Sequence, residues 1–129
     1  MNLLVTMVVL VISVWTAHDA LAGCAWVVWI KHEVSYKWSA TQGESSTTWE
    51  LQGARETRSE CEEVKGNLWS AMVKRYDDPS QLKGIEKVDT VANVSVFLTL
   101  KRDEKLYAGH ENRTFFCLPD AVDPRDPKK

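Results

Sequence analysis

The sequence has few of the features that mark small enzymes. It contains no Cys-x-x-Cys pair and no G-x-S-x-G turn, and its six glycines are scattered rather than gathered into a phosphate-cradling loop. Dithiol redox, serine-hydrolase and nucleotide-binding chemistry therefore have no motif here. Positive charge is not in surplus either. Sixteen Lys and Arg stand against eighteen Asp and Glu, so a phosphate backbone finds no basic stripe and nucleic acid is not an expected partner. No apolar run reaches the roughly 20 residues that a membrane-crossing helix needs. No internal repeat is visible, and 129 residues leave room for one domain with one modest core. Histidine is scarce: beyond His18 there are only His32 and His110. Metal sites need three or four ligands, so neither a metal nor a cofactor is expected.

The amino-terminal segment carries the clearest functional signal. Leu3 to Trp15 is almost continuously apolar, Thr16 to Asp19 interrupts it, and Ala20-Leu21-Ala22 forms a small-residue cleavage site. This is the pattern of a secretory signal over residues 1–22, although no Lys or Arg precedes the apolar run. Two processing outcomes compete. Cleavage after Ala22 releases a soluble chain beginning at Gly23. Leu21-Ala22-Gly23-Cys24 also resembles a bacterial lipobox, which makes Cys24 the lipidation candidate. Acyl chains would then hold the protein on a membrane, at about 0.8 kcal/mol per buried methylene. The expected location is outside the cytoplasm, either periplasmic or membrane-tethered through Cys24, with an envelope protein or a membrane surface as partner.

An exported chain meets an oxidising compartment, and three cysteines are an odd number. Lipidation of Cys24 leaves Cys61 and Cys117 as an even pair and the disulfide candidates. Without it, Cys24 competes for either partner and one thiol stays free.

From Trp26 to Trp38 the even positions are apolar apart from His32, while Lys31, Glu33, Ser35 and Lys37 alternate with them; this is a strand with one buried face. Ser39 to Ser46 reads as a hairpin connection, and Thr47 to Gly53 as the second strand. The spacing predicts a helix over Glu56 to Tyr76, with Thr57 and Glu60 as a capping box and Cys61, Val64, Leu68, Met72 and Tyr76 as its apolar stripe. Lys87 to Leu100, apolar at even positions, reads as one long third strand. Leu106 to Leu118 reads as a fourth, with an irregularity near Gly109. The expectation is an α+β domain over residues 24–118, in which a four-stranded antiparallel sheet carries one helix on one face. The Pro-containing charged stretch 119–129 is expected to be a disordered tail.

Five tryptophans follow Trp15, and most fit the apolar faces of these elements. Trp29 falls on the polar face of its strand, which makes it the candidate binding anchor, since tryptophan is enriched at binding hot spots. Cys61, in a first helical turn whose dipole lowers thiol pKa, and His110, beside Glu111 and Gly109, are the candidates for an enzymatic or redox role. His32 lies on an apolar face and reads as a hydrogen-bonded core or rim residue. Glu62-Glu63 and Asp77-Asp78 are sequence neighbours whose side chains diverge, so neither makes a catalytic carboxylate pair.

The end motifs, Cys24-Ala25-Trp26-Val27-Val28-Trp29 and Cys117-Leu118-Pro119-Asp120-Ala121-Val122-Asp123-Pro124-Arg125, resemble those of small uncharacterised exported bacterial proteins. The resemblance covers the two ends and not the middle. It implies a bacterial exported origin and no activity, substrate or catalytic residue. The reading is a non-enzymatic cell-envelope binding or interaction module. Its alternative is a small periplasmic enzyme or redox protein built on Cys61 or around His110.

Overall fold

The structure, a computed structural model, describes residues 25–126. The expected signal at residues 1–22 and the lipidation candidate Cys24 lie outside the described residues. Strands β1 (Trp26–Lys37) and β2 (Gly43–Arg55) form a hairpin, followed by helix α1 (Arg58–Arg75) and a short 3-10 turn at Pro79–Leu82. Strands β3 (Ile85–Val91), β4 (Ser95–Leu100) and β5 (Ala108–Pro119) complete a sheet of order β2-β1-β5-β4-β3. Every neighbouring pair is antiparallel. The fold is α+β with one helix.

The sheet has five strands, where the sequence pattern predicts four. The expected third strand is a hairpin, turning at Ala92-Asn93-Val94, with the Val94 amide donating to the Val91 carbonyl. Asn93 takes the left-handed conformation at φ 58°, which asparagine tolerates better than most residues. Pairing places Val88 opposite Leu98 and Thr90 opposite Val96, so even residues face even residues. An apolar-even pattern therefore runs through the reversal without a break. β2 also begins earlier than expected, at Gly43, because Ser45 to Thr48 are tolerated on an edge strand that faces solvent. No irregularity occurs at Gly109, which pairs in register with Tyr36. A Cβ there would lie 2.9 Å from Leu100 and 3.1 Å from Leu106, so close packing requires the glycine. Register shifts fall instead between β1 and β2, at Val28/Trp29, and between β3 and β4, at Ile85/Lys87.

The helix forms as the capping residues predict. Thr57 Oγ1 accepts from the Glu60 amide at 3.2 Å and Glu60 Oε2 accepts from the Thr57 amide at 3.2 Å. Its apolar stripe packs on Ile30, Val96, Leu98 and Phe115, with Leu68, Trp69, Met72, Val73 and Tyr76 contributed by α1. The Trp69 indole donates to the Ser95 carbonyl at 3.1 Å, so that large side chain enters the interface with its polar atom satisfied. A disulfide joins Cys61 to Cys117, with Cα atoms 6.0 Å apart, and ties the first helical turn to β5. Cys61 is fully buried.

The opposite face of the sheet is covered at one end by the chain after β5. The Asp120 amide donates to the Ala25 carbonyl at 2.8 Å, and Val122 to Pro119 at 2.9 Å. Asp123 takes Arg125 in a bidentate pair at 2.9 and 2.7 Å, and the Arg125 guanidinium stands 5.0 Å from the Trp29 ring. Over 119–126 these local turns and the contact with Trp29 are the interactions the segment makes.

Candidate functional site

Three sequence candidates are placed elsewhere than their chemistry would require. Trp29 is only 4% exposed, enclosed between Leu51, Phe116 and Arg125. The expectation that it serves as an exposed anchor is therefore corrected, because the face that is polar along β1 is closed over at this end by the carboxy-terminal segment. Cys61 is buried and bonded to Cys117, so no thiolate is available there. His110 stacks on Phe97 with ring centroids 5.4 Å apart, and among the described residues it has no ion-pair partner. Adjacent in sequence, His110 and Glu111 point to opposite faces of the sheet.

The helix-side face brings together a different set. In the β1–β5 ladder Ile30 pairs with Phe115, His32 with Arg113, Val34 with Glu111 and Tyr36 with Gly109. From β2, Glu50 and Thr48 stand opposite Ile30 and His32. Between α1 and this part of the sheet lies a cleft of about 400 Å³. Ile30, Leu68, Ala71, Met72 and Phe115 give it an apolar floor, while His32, Arg75, Arg113 and Glu50 give it a polar rim. The volume is at the small end of the roughly 300–1,000 Å³ range of ligand pockets.

The rim is unevenly satisfied. Glu111 Oε1 accepts from the Tyr36 hydroxyl at 2.8 Å, and this bond, with burial and the carboxylate charge adding, holds the phenol above its ordinary pKa of 10.0. Glu111 Oε2 lies 3.7 Å from His32 Nε2, too far for a hydrogen bond, and that nitrogen is enclosed without any hydrogen-bond partner. Arg113 donates to the Met72 sulfur at 3.8 Å, a weak acceptor for a guanidinium. Among the described residues neither Arg113 nor Arg75 has an ion-pair partner. The cleft thus presents the part-buried Arg113 guanidinium, with a methionine sulfur as its acceptor, and the solvent-exposed Arg75 over an apolar floor, while His32 Nε2 stays enclosed. It holds no cysteine, and among the described residues no group of three metal-ligating side chains forms.

Of the polar residues here, the sequence singled out His32 as a core or rim residue and Glu111 only as a neighbour of His110. Arg113 and Arg75 were not read as site residues because nothing in the sequence states the β1–β5 register, or that the last turn of α1 faces it. The odd positions Glu111, Arg113, Phe115 and Cys117 do share a face, and the disulfide candidate among them was the available clue.

Fold and cleft together define a disulfide-closed antiparallel α+β domain with a lateral pocket between helix and sheet. Comparison with protein-family models, curated proteins and solved structures returns no match.

Proposed function

We propose that this protein is a non-enzymatic, exported binding module of the bacterial cell envelope whose ligand occupies the cleft between α1 and strands β1, β2 and β5. The observation that carries this reading is Arg113, a half-buried guanidinium with an apolar floor beside it and a methionine sulfur as its hydrogen-bond acceptor. Charged side chains are seldom buried unless paired, and here a ligand can supply the partner. The thiol enzyme loses its nucleophile to the Cys61–Cys117 bond; His110 shares a pocket with Glu33, but that carboxylate pairs with Lys31 and accepts from Asn112, and the His110 ring stacks on Phe97. Export accords with the apolar leader, and a disulfide bond is the covalent staple expected of a small domain outside the cytoplasm.

The reading is tested by a small-fragment screen on the isotope-labelled mature protein, followed in amide spectra. Expected are shifts gathered on Ile30, His32, Met72, Arg75 and Arg113. Shifts gathered instead around His110 and Phe97, or none at all, would sink the cleft as the site. Export is tested separately by intact mass after fractionation of a bacterial host, where a chain still carrying residues 1–22 in the cytosol would overturn it.

A further inference from the structure

We infer that the ligand class of the cleft is a small aliphatic monocarboxylate, its carboxylate held by Arg113 and Arg75 and its chain lying along Ile30, Leu68, Met72 and Phe115. The inference rests on the cleft being the binding site and adds the chemistry of what fills it. A guanidinium presents a planar fork that matches a carboxylate in two parallel hydrogen bonds, and the match strengthens where water is excluded. Arg113 sits at the junction between rim and floor. Its strand neighbour Phe115 is buried in the core two residues on, and Met72 of α1 already touches its guanidinium. A bound carboxylate would replace the sulfur as acceptor, and its chain would run toward Ile30 and Phe115.

Charge complementarity limits the alternatives. A phosphate dianion would face Glu50 on the same rim and leave the apolar floor unused. A free organic cation would meet two arginines against one glutamate, since Glu111 is engaged by Tyr36. A neutral hydrocarbon would leave the part-buried Arg113 guanidinium without a partner, which is costly for an unpaired charge. A single negative charge on a short apolar chain satisfies the rim and the floor together.

The experiment is an amide-shift titration of the full mature protein, disulfide intact, with sodium octanoate, octan-1-ol and sodium acetate as probes. Octanoate is expected to bind saturably, with shifts at Ile30, Met72, Arg113 and Phe115. Octanol lacks the charge and is expected to bind about tenfold or more weaker, the size of one lost charge-assisted hydrogen bond; acetate keeps the charge but loses the buried methylenes of the chain and is expected to bind about tenfold or more weaker for that reason. Arg113→Gln is expected to bring octanoate down to the octanol level with spectral dispersion unchanged, and Arg75→Gln supplies the same test should the first variant unfold. Octanol binding in the cleft as tightly as octanoate would overturn the ligand class while leaving the binding module standing. Absence of cleft shifts with all three probes, in a protein that does bind screening fragments there, would overturn the carboxylate alone. Absence of shifts with probes and fragments alike would overturn both.

Discussion

Tyr36, Glu111 and His32 form a chain in which one carboxylate oxygen is bonded and the other is not. The Tyr36 hydroxyl donates to Glu111 Oε1, and the bond favours the protonated phenol. Because the folded-state pKa is raised, the stability this proton contributes is fully present below about pH 10 and is lost as pH rises through the folded value. Ultraviolet titration of the phenolate should therefore show Tyr36 ionising above the ordinary value of 10.0, and Glu111→Gln should bring it back toward that value. An unchanged titration in the variant would mean that burial, not Glu111, sets the shift. Trp29 illustrates the limits of reading one residue by its alternation. It lies on the polar side of β1, yet its ring is enclosed and its indole nitrogen has no hydrogen-bond partner. Two of the three residues that enclose it, Phe116 and Arg125, lie 87 and 96 positions away in the chain.

At the scale of the element, α1 was the most legible part of the chain. Its start is written locally, because a threonine and a glutamate three residues later satisfy each other's backbone donors whatever the rest of the fold does. Thr57→Ala removes one of those two bonds and should cost about 1 kcal/mol in urea unfolding, with the slope of the transition unchanged. A loss indistinguishable from zero would show that the disulfide one turn later already holds the helix start. The strands were less legible. β3 and β4 read as one strand because their three-residue turn joins even positions to even positions. Alternation records which face a residue occupies, and a hairpin of this register preserves the face while reversing the direction.

For the whole molecule, the Cys61–Cys117 bond spans 56 residues and encloses α1, β3, β4 and most of β5. Closing a loop of that length should contribute about 4 kcal/mol by constraining the unfolded chain. For a domain of this size that is a large fraction of a typical total of about 5–15 kcal/mol. The paired Cys61→Ser and Cys117→Ser variant should therefore unfold at markedly lower urea, as followed by tryptophan fluorescence, and bind octanoate less well as α1 loosens from β5. A variant as stable as the parent would show that the core of Ile30, Val96, Leu98 and Phe115 holds helix to sheet unaided. The same tie positions the cleft: with its first turn held at Cys117, α1 touches β5, β1, β2 and β4, and the pocket lies beside its second half.

What the sequence determined by itself is what short-range chemistry encodes: the buried face of β1, the capping box and stripe of α1, and three cysteines whose pairing it left open between Cys24, Cys61 and Cys117. Each depends on residues within a few positions of one another or on a count. Only the tertiary structure decided the fifth strand, the enclosure of Trp29, and the meeting of His32, Glu111 and Arg113 with Arg75. These follow from the register between β1 and β5, which joins residues separated by as many as 93 positions, from Trp26 with Pro119 to Lys37 with Ala108. A register of that range is chosen by the packing of whole faces, β5 against β1 and α1 across both, and no local pattern within either strand carries it.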